Sequence, residues 1–67
     1  MMFTQLSAND SMRIYISDCR LFKILFIDDD HPRCCIFHAG KVIDKYFKTF
    51  IKARGECIKI KRGAAHG

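Results

Sequence analysis

The sequence predicts an α+β domain, a small sheet of three to four strands with one amphipathic helix packed across it. Three observations predict it. Residues 13–17 and 56–62 alternate with the two-residue period of a strand, residues 21–27 form an almost unbroken apolar run, and residues 41–54 repeat with the period of a helix.

Along the chain, residues 1–12 read as a flexible arm, because Ser7-Ala8-Asn9-Asp10-Ser11 is polar and rich in turn formers. Arg13-Ile14-Tyr15-Ile16-Ser17 is the first strand. Leu21 to Ile27 is the second, with Phe22, Ile24 and Phe26 on one face and Leu21, Leu25 and Ile27 on the other. A strand apolar on both faces belongs where both are covered. The two form a hairpin through Asp18-Cys19-Arg20, a turn without the usual Gly or Asn. Asp28-Asp29-Asp30-His31-Pro32 is a loop, since proline drives His31 out of helix and the carboxylates seek water.

Cys34 to His38 reads as a further short strand, because extending the downstream helical wheel backwards puts Cys34 and Phe37 among lysines. On that wheel Val42, Ile43, Tyr46, Phe47, Phe50, Ile51 and Ala53 share one half. Lys41, Asp44, Lys45, Lys48, Thr49 and Lys52 share the other. Gly55 stands at the expected C-terminal cap. From Glu56 to Arg62, Ile58 and Ile60 alternate with Cys57, Lys59 and Lys61, the pattern of a strand with one wet, basic side. Residues 63–67 read as a loose end, and the domain proper as 13–62.

With 67 residues the chain is one domain. A domain so short buries only about 60% of the surface of its unfolded chain. Its single core rarely supplies more than ~3–5 kcal/mol without a metal, a disulfide or a partner. The chain begins with neither the basic nor the apolar segment of a secretory signal, and its longest apolar run, Ile24 to Ile27, is far below the ~20 residues a bilayer span needs. The expected location is the cytoplasm, away from membranes, with Cys19, Cys34, Cys35 and Cys57 reduced and largely buried. A zinc site from Cys34, Cys35, His38 and Cys57 is disfavoured by spacing, since adjacent cysteines point apart on a strand. Cys35 with His38 lacks an orienting acid and an oxyanion hole. The chain therefore reads as non-catalytic.

Two constellations remain. The basic residues Lys41, Lys45, Lys48 and Lys52, joined by Lys59, Lys61 and Arg62, sit in a chain of net charge +5 and suit a polyanion such as nucleic acid, or simply a solvated surface. The acidic stretch is more particular. Lys23-Ile24-Leu25-Phe26-Ile27-Asp28-Asp29-Asp30-His31-Pro32 resembles the opening of a receiver domain of two-component response regulators, in which a buried parallel strand ends in paired aspartates. The order of helix, glycine and alternating strand is similar too, and Ala64-Ala65-His66-Gly67 resembles the turn after that family's second strand. The resemblance covers residues 23–67 and implies an alternative fold, a β-α-β half of a receiver with parallel strands at 23–27 and 57–61. It also implies Mg²⁺ held by Asp28 and Asp29, with Asp30 as an accessory charge. The chain departs from the family by lacking a phosphoacceptor aspartate, a switch hydroxyl and the later lysine, so no phosphorylation cycle follows.

One helix covers one face of a sheet, and this sequence offers two apolar faces. The uncovered one marks an interface with another protein or a second copy of the chain. The expected function is thus a small regulatory or interaction protein acting by protein contact, with a nucleic-acid-contacting accessory protein as the alternative.

Overall fold

The computed structural model describes the backbone of residues 1–66 and side chains through Gly63. Five strands precede one helix: β1 (Phe3–Ala8), β2 (Met12–Ser17), β3 (Phe22–Ile27), β4 (Arg33–His38), β5 (Lys41–Phe47) and α1 (Phe50–His66). The sheet is an antiparallel meander in the order β1-β2-β3-β4-β5.

This corrects the expected fold in four places. The sheet has five strands, not three to four, because residues 3–8 of the expected arm pair with β2 from Phe3↔Ser17 to Ala8↔Arg13. The segment expected to be helical, 41–54, is β5, a two-residue connection and the first turn of α1. The segment expected to alternate as a strand is the body of α1, so Gly55 lies inside the helix rather than beyond its end. Finally, the β-α-β alternative is overturned: every neighbouring pair is antiparallel, and residues 57–61 are not a strand. The helix also runs through the expected loose end as far as His66, while Gly67 lies outside the described residues.

The misreading of 41–47 has a physical cause. On a helical wheel Val42, Ile43, Tyr46 and Phe47 fall together. In the strand they split, with Ile43 and Phe47 packed on the core and Val42 and Tyr46 exposed on the opposite face. The two-residue pleat makes this split, and a bulge keeps both Phe37↔Val42 and Cys35↔Tyr46 in register, so two steps along β4 match four along β5. β-Branched and aromatic residues suit such a pleated, half-covered strand.

The core lies between α1 and one sheet face. In-register rows place Phe22 beside His38, Ile24 beside Ile36, and Phe26 beside Cys34. Phe22, Ile24, Cys34 and Ile36 are buried there under Ala53 and Cys57 of the helix, and Phe50 and Ile60 pack at its flanks. Positions 50, 53, 57 and 60 form one helical stripe. The small side chains of Ala53 and Cys57 at its centre let the helix approach the sheet closely. Each fully buried Phe or Ile contributes about 1.5–3 kcal/mol of hydrophobic stabilisation. Phe50 also meets Phe3 edge-on at 5.7 Å and Tyr15 at 4.8 Å, tying the helix start to β1 and β2. Thr49 caps the helix, its hydroxyl accepting from the Lys52 amide at 3.2 Å.

The turns fix the sheet's two ends. Asp28 N–H donates to Ser11 C=O at 2.7 Å, joining the β1–β2 and β3–β4 loops at one end. Asp18 N–H donates to Met2 C=O and Ala39 N–H to Leu21 C=O at the other. Ala39 and Gly40, with φ of 53° and 83°, form the two-residue turn whose twist matches a hairpin. Ala39 is strained in that region, whereas Asn tolerates it, so Ala39→Asn is expected to raise stability by about 0.5–1 kcal/mol. Gly55→Ala should add about 0.5–1 kcal/mol for the opposite reason, since a Cβ there meets open space on a helix of ordinary handedness. Urea melts of the two variants and of their combination check both values.

Candidate functional site

The prominent surface is the sheet face opposite α1. Its rows follow from the register. Ile16, Lys23, Phe37 and Val42 form one; Ile14, Leu25, Cys35 and Tyr46 form the next; Met12, Ile27 and Arg33 form the last. Leu6, at the β1 bulge, closes the side. Among the described residues no second helix lies across these rows. Val42 and Tyr46 are 59% and 64% exposed, and Leu6 is 55% exposed, values that place large apolar groups in water. Ile14, Ile16, Leu25, Ile27 and Phe37 are half-buried by their neighbours in the sheet. A shallow groove runs between Leu6, Ile14, Lys23, Leu25 and Phe37. The face is largely apolar, with Lys23 and Arg33 set among its rows.

The acidic residues singled out from sequence, Asp28, Asp29 and Asp30, lie together in the exposed β3–β4 loop. The loop joins antiparallel strands, so it is not the carboxyl end of a parallel strand where α/β sheets hold ligands. Asp29 is used by the loop itself. Its Oδ1 accepts from the His31 amide at 2.8 Å, and both its oxygens accept from Arg33 Nη1 at 3.0 and 3.1 Å. The His31 amide first, and then the Arg33 guanidinium, hold its carboxyl below the usual carboxylate range. Among the described residues no three His, Cys, Asp or Glu side chains gather as a metal site.

The basic residues do not form the expected helical stripe. Lys41 and Lys45 are on β5, Lys48 is in the connection, and only Lys52, Lys59, Lys61 and Arg62 are on α1. All seven are exposed. Lys45 reaches Glu56 of the helix at 3.9 Å and sits over the Phe47 ring at 5.3 Å. The helix adds Arg54, which the sequence reading left out and whose Nε donates to Met1 C=O at 2.9 Å. Glu56 is its one carboxylate. The helix flank is therefore strongly basic, on the side of the molecule opposite the apolar face.

The four thiols are free and occupy distinct environments. Burial pushes Cys57 up to about 11 and raises Cys34 as well. Cys19, in the β2–β3 turn, is only partly covered. The Ser17 hydroxyl, 3.3 Å from its Sγ, and the backbone at Leu21 hold its thiol below the ordinary range.

No helix among the described residues is long and apolar enough to cross a membrane. No family model matches the chain, and no curated protein and no solved structure matches it significantly. The uncovered face is what sequence reasoning located least well. Its members were visible as apolar residues on the second side of β3, but Val42 and Tyr46 had been assigned to a helix. In the folded protein at pH 8, a limiting thiol reagent is expected to label Cys19 first, with Cys34 and Cys57 modified only on unfolding. Peptide mass spectrometry over a labelling time course checks the order.

Proposed function

We propose that this protein is a small non-catalytic interaction module that acts by protein–protein contact through the uncovered sheet face. The carrying observation is the pair of rows Ile16-Phe37-Val42 and Ile14-Leu25-Tyr46, apolar and, among the described residues, without a layer above them. Leaving such a surface in water forgoes about 25 cal/mol for each Å² that a partner would bury. The face is also built on regular strands, which hold its side chains in a fixed pattern before any partner arrives. That lowers the ordering cost of association. A regulatory role in the cytoplasm is the setting proposed for it.

A photo-crosslinking residue tests this reading. Placed at Tyr46 on the uncovered face, it is expected to give protein adducts in cells. Placed at Ile51, which is 79% exposed at the helix, it should give at least about tenfold less. Equal yields at both positions, or none at Tyr46, would falsify the reading.

A second reading rests on the helix. Lys52, Arg54, Lys59, Lys61 and Arg62 oppose the lone Glu56, a distribution suited to a phosphate backbone. Binding of this kind is non-specific and weakens with salt, with a slope that drops by about 0.9 for each phosphate contact removed. Lys59→Ala should therefore lower the salt slope of duplex binding by about one, read by fluorescence anisotropy. A chain that fails to bind duplex DNA or RNA at low ionic strength does not work this way.

A further inference from the structure

We infer that the occupant of the uncovered face is a second copy of the same chain, packed sheet on sheet with its strands reversed. This rests on the interaction reading above and names its partner. Three observations converge on it.

The first is area. The chain exposes 4962 Å². A compact monomer of 7.8 kDa exposes roughly 4,400 Å². Leu6, Met12, Val42 and Tyr46 of the open face, 55%, 41%, 59% and 64% exposed, contribute to this surplus of roughly 600 Å², and an interface at the lower end of the stable range buries a similar ~600 Å² per partner. Two such faces, stacked about 10 Å apart, form the two-layer core of a β-sandwich.

The second is where the charge lies. The +5 net charge is carried largely by α1 and its surroundings, on the side away from the open face. In a sheet-on-sheet pair the two helices face outwards, so the basic surfaces are as far apart as the fold allows. Any pairing through the helices would bring like charges together. The open face, where Lys23, Arg33 and Asp44 are the charged residues, carries nearly balanced charge and is thus the surface through which two copies can approach.

The third fixes the orientation. The loops at one end of the sheet carry Asp10, Asp28, Asp29 and Asp30, with Arg33 engaged by Asp29. The turns at the other end carry Arg20 and Lys41, with Lys23 near the same rim beside Leu21, Ala39 and Gly40. Asp18 is the one carboxylate there. Lys48, which leaves β5 beside the aspartate loop, offsets part of that acidic charge, and each sheet still has a more acidic end and a more basic end. Stacking two copies with strands in the same direction sets acid on acid and base on base. Reversing one copy about a twofold axis places the Asp28-to-Asp30 loop of each against Arg20, Lys23 and Lys41 of the other. That is the isologous arrangement of a closed dimer, in which both contacts are the same contact. It also gives Lys23, the one lysine set within the apolar rows, a carboxylate to reach once its surroundings lose water.

Sedimentation equilibrium across micromolar concentrations tests the inference on the full chain. The expected mass is that of a dimer. Leu25→Asp should weaken it at least a hundredfold, and circular dichroism confirms that the variant folds, because Leu25 lies outside the buried core. Asp28→Lys with Asp30→Lys, or Lys23→Glu with Lys41→Glu, should each weaken the dimer about tenfold or more. The two pairs combined should restore it to within about threefold of the parent. A dimer indifferent to either charge reversal overturns the reversed orientation. A monomer at all concentrations overturns the inference. The interaction reading survives that monomer if Tyr46 still gives adducts with another protein, and falls with it if Tyr46 gives none.

Discussion

A single helix can shield only one side of a five-stranded sheet, and the rest of this molecule follows from that geometric limit. The strands carry apolar residues on both sides, as β3 shows with Phe22 and Ile24 under the helix and Leu25 and Ile27 away from it. The helix takes the side where Phe22, Ile24 and Ile36 can be closed off completely. It does so with Ala53 and Cys57, whose small side chains fit against the strands. What remains is a regular apolar surface whose shape is set by the pleat rather than by mobile loops. Stability draws on one side of the strands, and the proposed association would draw on the other.

Polar groups follow the same division. Lysines and arginines gather along α1, where they stay solvated. Carboxylates gather at one set of turns, where Asp29 spends its oxygens on ordering its own loop. The acidic stretch is a hairpin loop between antiparallel strands. Its significance lies in the sign of charge it gives one end of the sheet.

The middle of the fold was legible in the sequence because each element there has an unambiguous pattern. Arg13 to Ser17 alternates, Leu21 to Ile27 is apolar but for Lys23, and the Asp28-to-Pro32 stretch can only be a loop. The strand at 34–38 emerged because a helix would have put Phe37 among lysines. Both ends were harder, for definite reasons. Residues 3–8 have a weak apolar pattern, and their pairing with β2 depends on a partner strand the local sequence does not reveal. At 42, 43, 46 and 47 the spacing that gathers residues on one face of a helix divides them between the two faces of a strand. At 57–61 the Ile-Lys repeat imitates a strand. There the buried stripe of 50, 53, 57 and 60, anchored by Thr49 at the start, decides for helix. Tertiary packing overrode local periodicity at both places. The apolar face itself was foreseeable from the surplus of apolar residues, but its outline was not, since Val42 and Tyr46 join it only once β5 exists.

The order of elements along the chain has a consequence for synthesis. Every strand pairs with its immediate neighbour in sequence, so each hairpin can close as soon as its second strand emerges from the ribosome. The helix comes last. Until it docks, the nascent sheet is wet on both sides and has no layer over Phe22, Ile24 or Ile36. That interval, which lasts until the seventeen residues of α1 fold onto the sheet, is when the chain is most prone to clump.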